Sequence, residues 1–263
     1  EKDDRGFCDA LTEYILVNDI DCEGVSPWYD SDNSCYFDLN ASGATIGSFV
    51  FTGIFDGKGY TISNINVTEQ MGTKIGKDFG GLFDAIKDAE IKNIYLDNIK
   101  INNSGAKPAG IVCAGYSNGV SNDKTYGKFE NVTISDNCSI DGNAGCGGFI
   151  GYARDGMQTL LFNNCINKAD ISCSSYNNGG FIGSCSDTLH YQRDFTFINC
   201  SNEGTISGTE FCGGFAGSQT GGCKWVFENC SNLGDIIVTS SPAGLFNGQT
   251  SFGLDSYEYR GTN

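Results

Sequence analysis

The apolar residues of this chain fall in short clusters separated by Gly, Asn, Ser and Thr, with no convincing run at the three-to-four spacing of an amphipathic helix. Many short strands joined by tight turns are therefore expected. The clusters repeat. A small residue, a glycine and an apolar pair recur as TGIFDG at Gly53, GGLFDA at Gly81, AGIVCA at Gly110, GGFIGY at Gly148, GGFIGS at Gly180, GGFAGS at Gly214 and AGLFNG at Gly244. Between these arms lies a second, in which an asparagine precedes an apolar residue: Asn64, Asn93, Asn131, Asn164, Asn199 and Asn229. An isoleucine closes many units, as at Ile140, Ile171, Ile206 and Ile236.

A period near 30 residues with three apolar stretches suits one coil of a β-solenoid, in which three brief strands surround a core and each unit stacks on the last in parallel register. The expected fold is all-β, a parallel β-helix of about seven coils with an N-terminal cap. Residues 1–48 form the cap and opening strand, 49–248 the repeats, and 249–263 a C-terminal cap or docking tail. Equivalent residues should form ladders. The inward ladder of the asparagine arm is Ile65, Ile94, Val132, Cys165, Cys200 and Cys230. The asparagines before them are expected to bond their amides along the stack or to corner carbonyls. The glycines suit corners that need a positive φ, or places where backbone passes close to backbone.

Charge and composition narrow the function. A formal charge of −16 argues against a phosphate backbone as partner, because counterion release needs clustered Lys and Arg. No apolar run approaches the roughly 20 residues of a membrane-spanning helix, and the chain opens on charged residues rather than a signal peptide. Thirteen cysteines are heavy for a reducing compartment, and one histidine with no CxxC pair excludes a zinc ribbon. With seven Asn-X-Ser/Thr sequons, the cysteines favour an extracellular, secreted or cell-surface setting. Asn40, Asn66, Asn102 and Asn137 lie outside the asparagine ladder and are the expected glycan sites. Asn131, Asn199 and Asn229 belong to the ladder, so they are structural first and glycosylated second. Cys165, Cys200 and Cys230 are expected as unpaired core thiols, and the other ten cysteines as five disulfides. Cys22 with Cys35 and Cys212 with Cys223 would each close a short loop, although sequence does not fix the connectivity.

YILVNDIDCEG, then GSFVFTGIFDGKGYTISNINV, then the repeated GGLF and GGFIG arms resemble proteins bearing the GLUG motif, which are surface and adhesin-like and are sometimes joined to IgA-specific metallopeptidases. The resemblance covers roughly Tyr14 to Ile236 and is most specific from Phe51 to Val67. It implies a right-handed β-helix, opened by Asp19-Ile20-Asp21 and turned into its first full coil by Phe55-Asp56-Gly57. It also implies a scaffold or binding module without catalytic residues. The peptidase association does not carry over, since a lone His190 leaves no HExxH.

Parallel β-helices also host polysaccharide lyases and hydrolases, which need converging carboxylates. The acidic residues here are scattered. Asp30 and Asp32, in the run Asp30-Ser31-Asp32-Asn33, make the best local cluster and a weak calcium candidate, with a solvated turn as the plainer reading. No other cofactor is expected. The arms are farthest apart around residues 115–128, 152–159 and 184–195, which should bulge from one side of adjacent coils. These segments carry Tyr116, Tyr126, Tyr152, His190 and Tyr191, a candidate surface for glycans or protein partners, or else tolerated insertions. The leading expectation is a non-catalytic extracellular scaffold, adhesin or filament subunit that meets cell-surface glycans or stacks head to tail on other subunits. A carbohydrate-active β-helix enzyme or a lectin-like module is the alternative.

Overall fold

One coil, residues 176–208, carries the plan of the molecule. Its strands are Tyr176–Gly179, Ile182–Ser186, Arg193–Ile198, Ser201–Asn202 and Ile206–Gly208. Each lies parallel to its counterpart one coil later: Asn178 on Cys212, Ile182 on Ala216, Phe195 on Trp225, Ser201 on Ser231 and Ile206 on Ile236. Among the described residues, repetition builds three parallel sheets of eighteen, six and five strands around one core, a β-solenoid. The structure is a computed structural model describing residues 13–23, 50–68, 81–103, 109–116, 125–153, 157–186, 193–220, 223–240, 243–244, 246–250 and 256–260.

The core is laddered as the repeat requires. Val67, Ile101, Ile140, Ile171, Ile206 and Ile236 follow one another in register along the six-stranded sheet. Phe149, Phe181 and Phe215 stack nearly parallel with centroids 4.7 Å apart, as do Phe129, Phe162 and Phe197. Rings of one stack meet the other edge-on, as in Phe149 against Phe162 at 5.5 Å and 85°. Such aromatic pairs contribute about 0.5–1.5 kcal/mol each beyond their burial, so the phenylalanines hold the register as well as filling space.

Fewer coils close than expected. Among the described residues the five strands of the shortest sheet bound four complete turns, against about seven coils. The first glycine arm accounts for part of the difference: Gly53 pairs with Ala89 inside the strand Phe83–Asp97, not with Gly81. Stacking nonetheless extends into both end segments. Glu13 pairs with Ile54 and Ile20 with Ile62 at one end, and Ser256–Arg260 runs in register on Cys223–Glu228 at the other.

The asparagine ladder is present with one substitution. Asn229 donates to Asn199, Asn199 to Asn164, Asn164 to Asn131 and Asn131 to Asn93, through Nδ2–H to Oδ1 at 2.9–3.2 Å. Below Asn93 stands Asp56 rather than Asn64, 3.0 Å from the Asn93 amide. Asp56 pairs with Lys92 and Thr61 with Tyr95, so residues 57–60 of the first coil face only residues 93 and 94 of the next. That two-residue excess moves Asn64 onto Asn98, whose amide donates to it at 2.7 Å, and Asn66 onto Lys100, which places Ile65 beside Ile99. Asn64 and Ile65 therefore leave the ladders expected for them.

Asparagine, not glycine, makes the repeated left-handed corner. All the ladder asparagines have φ between 52° and 54°, whereas positive φ among the described glycines is confined to Gly53, Gly59 and Gly145. Asparagine tolerates this region, and its amide then projects along the stack. The recurring glycines answer the other need, close approach of backbones: a Cβ on Gly148 would fall on the Gly180 carbonyl oxygen and on the Asn167 side chain.

Candidate binding surface

The same two-residue excess builds an open groove on the outer surface. Asp56 ends its strand with a buried side chain, and Gly57-Lys58-Gly59-Tyr60 then turns back with Tyr60 N–H on Gly57 O at 2.8 Å. Both central residues have positive φ, 52° at Lys58 and 83° at Gly59, the requirement of a type I′ turn. Glycine at position 59 meets that requirement without strain. Lys58 and Gly59 thus stand proud of the next coils and bound an open groove of about 500 Å³ with Asn93, Ile94, Tyr95, Asn131 and Thr133.

The groove offers varied polar chemistry on a rigid floor. Lys58 Nζ lies 2.8 Å from Asp56 Oδ2. Burial tends to raise the Asp56 carboxyl, but hydrogen bonds from the Lys58 ammonium, the Asn93 amide and the Lys58 N–H outweigh it and hold the group at about 2. The Lys58 ammonium is raised in return, chiefly by that hydrogen bond. Asp56 is therefore a fixed anion tying the turn to the asparagine ladder, and it is spent on that contact. Asn93 and Asn131 each use an amide hydrogen and an oxygen lone pair in the ladder, which leaves a second hydrogen and a second lone pair per side chain. With the 40% exposed ring of Tyr95, an ammonium and the Thr133 hydroxyl, the surface suits a polyhydroxylated ligand lying flat. Among the described residues no group of three or more His, Cys, Asp or Glu is placed to hold a metal ion.

Of the residues expected from sequence, Asp30, Asp32, Cys35, Asn40, His190 and Tyr191 lie outside the described residues, and of Tyr116 only the backbone is described. Tyr126 is exposed, with its N–H on Asp88 Oδ1 at 3.1 Å, and Tyr152 is half-buried. The strands flanking the three long segments stack in register, Tyr152 on Gly115 and Ser184 on Tyr152, Thr159 on Tyr126 and Asp194 on Thr159. The described ends on either side of these segments thus line up from coil to coil. Asn66 and Asn102 are exposed on the six-stranded sheet. Asn137 is exposed too, but its amide donates to Asp97 Oδ1 at 3.0 Å, beside the Ser135 hydroxyl at 2.5 Å. These two hydrogen bonds hold the Asp97 carboxyl below the usual range.

The disulfide expectation needs correction. Among the described residues the bonded pair is Cys146–Cys173. Cys138, counted into a disulfide, is a buried thiol that accepts the Ile99 N–H at 3.3 Å. Cys212 is likewise a buried thiol, 3.6 Å from the Asn178 amide, while Cys223 faces Cys185 instead, with sulfurs 3.9 Å apart. Parallel stacking is the reason: Cys212 and Cys223 sit on different strands of one coil and their side chains do not converge. Cys22 is a buried thiol. Cys165, Cys200 and Cys230 keep their thiols, each donating to the carbonyl two residues earlier at 3.2–3.4 Å.

Sequence inspection missed a second, internal asparagine ladder. Asn167 donates to Asn202 and Asn202 to Asn232, both at 2.7 Å, and each amide also bonds the carbonyl two residues on, Ala169, Gly204 or Gly234. Its signal was present, an asparagine three residues after each of Asn164, Asn199 and Asn229, but short turns contain many asparagines without such a role.

No protein-family model matches the chain. Halomucin of Haloquadratum walsbyi is 34% identical over 141 residues, which is 52% of this chain and 1% of that protein. The crystal structure of a Bacteroides ovatus protein provisionally assigned as an immunoglobulin A1 protease superposes with a TM-score of 0.68 over 97% of this chain and 70% of that one. At 21% identity that likeness establishes a shared β-helix fold and nothing further.

Proposed function

We propose that the chain is a non-catalytic extracellular scaffold of the adhesin or filament class. The observation that carries this reading is where the repeated polar side chains go. Coil after coil the asparagines are spent on one another, in an outer ladder from Asn93 to Asn229 and an inner one from Asn167 to Asn232, so repetition serves the stack. An enzyme on this fold needs converging acid and base, whereas the carboxylate beside the groove, Asp56, is committed to Lys58. The similarity to Halomucin supports an extracellular setting, as do the sequons and the Cys146–Cys173 bond. The resemblance to GLUG-motif proteins points the same way.

A second reading arises from the groove: Lys58, Tyr95, Asn131 and Thr133 bind a neutral or acidic glycan, which would make the scaffold adhesive. Two measurements decide between the classes. Electron microscopy of native material should show extended or end-stacked particles. A polysaccharide panel should show no turnover, and depolymerisation that disappears in Asp56→Asn would overturn the non-catalytic reading. Glycan-array binding lost in Tyr95→Ala would support the adhesive form.

A further inference from the structure

From the approach of Cys185 to Cys223, we infer that these residues are the partners of a second disulfide, one that staples two successive coils together. Cys185 is next to last in the strand Ile182–Ser186, and Cys223 begins Cys223–Glu228 one coil later. Both side chains are buried, and their sulfurs stand 3.9 Å apart. A bond at about 2.05 Å needs the sulfurs to close by roughly 2 Å, within the reach of side-chain rotation.

The existing bond supplies the precedent. Cys173 ends the strand Asp170–Cys173, stacked on Gly142 of the coil before, and Cys146 opens Cys146–Gly147 just past the next corner of that earlier coil. In both pairs, one cysteine lies in the last two positions of a strand on one coil and the other begins the following strand position on the adjacent coil. The corner brings the two positions together. Other coils lack this pairing at the second corner: Ala153 stacks below Cys185, Gln219 above it, and Arg193 below Cys223. The stacked thiols of Cys165, Cys200 and Cys230 occupy equivalent positions on successive coils, and their side chains point the same way.

The chemistry requires a low-molecular-weight disulfide as oxidant. One protein thiolate attacks a glutathione disulfide and forms a mixed disulfide with release of one glutathione. The second protein thiolate then attacks the protein sulfur of that mixed disulfide and releases the other glutathione. The two cysteines lose two electrons and two protons, and the glutathione disulfide becomes two thiols. Because both sulfurs are buried, the step occurs during folding or in locally opened coils. Since each coil contacts only its neighbours, the staple removes the freedom of two coils to separate.

The test is to refold the full chain with glutathione disulfide, block residual thiols, digest without reduction and map cross-linked peptides by mass. The expected result is a Cys185–Cys223 peptide alongside Cys146–Cys173. Oxidation should also raise the Tm of wild type by about 10 °C more than that of Cys185→Ser, from the closure of a loop of this length. Absence of the Cys185–Cys223 peptide where Cys146–Cys173 has formed, or Cys223 bonded to another cysteine, overturns the inference. The mass map is made on wild type, so it stands even where Cys185→Ser fails to fold. Mapping secreted native material tests the extracellular reading separately.

Discussion

Replacing Asn199 separates the two jobs assigned to the outer ladder. Asn199 holds φ at 52°, donates to Asn164 at 3.1 Å and accepts from Asn229 at 3.2 Å. Asn199→Ala loses two exposed neutral hydrogen bonds, about 0.5–1 kcal/mol each, and places a Cβ without a compensating amide in the left-handed region, about 1 kcal/mol more. The expected destabilisation is about 2–3 kcal/mol. Asn199→Gly loses the same bonds but relaxes the backbone, and should cost about 1 kcal/mol less than alanine. At Ser172, an exposed position of an ordinary strand, the order should invert, with glycine worse than alanine by about 0.5–1 kcal/mol. Urea unfolding followed by circular dichroism, on protein made without N-glycosylation, measures all four variants. Alanine equal to or better than glycine at Asn199 would refute the claim that the ladder asparagines are selected for their backbone geometry.

Three further outcomes are expected. The Asp56 carboxyl lies at about 2 in the fold against an ordinary 3.8, so its contribution is fully present above pH 4 and is lost as pH falls towards 2; Asp56→Asn should flatten that fall by at most about 2 kcal/mol in acid-unfolding curves, since half-exposed Lys58 is partly screened. Gly180→Ala, whose Cβ would strike the Gly214 carbonyl oxygen and the Asn202 side chain, should prevent soluble folding, whereas Gly59→Ala meets open space and should cost only about 1 kcal/mol for its positive φ, as thermal melts will show. Expressed through a glycosylating secretory host, the chain should carry glycans at Asn66 and Asn102 and remain bare at Asn131, Asn137, Asn199 and Asn229, whose amides are engaged; glycopeptide mass spectrometry reads each site.

Much of the architecture was legible because a solenoid is nearly one-dimensional. Ile140, Ile171, Ile206 and Ile236 occupy equivalent points of successive coils, face the same neighbours and therefore share one chemistry, and repetition exposes them. The groove was not legible. It depends on Asp56, Lys58 and Tyr95, which belong to two coils and occur once each in their roles, so no period marks them. The candidate tyrosines were chosen because long segments separate the arms around them, a signal of where the chain leaves the stack but not of what it forms there.

The chain alone determined the class of fold, since short apolar clusters at a period near 30, with turn residues between them, have few ways to bury their side chains except by coiling and stacking. It also marked the asparagine ladder from Asn93 and the core ladder beside it from Ile94 onward. Tertiary structure decided who meets whom across coils. Two extra residues in the turn at Gly57-Lys58-Gly59-Tyr60 displaced Asn64 to Asn98 and installed Asp56 beneath Asn93. A corner brought Cys223 to Cys185 rather than to Cys212, eleven positions away in the sequence. The physical reason is the same in both cases: inter-coil contacts depend on the summed length of every arc between two points, and a small excess in one turn is invisible in the local pattern yet shifts the register of the residues beyond it.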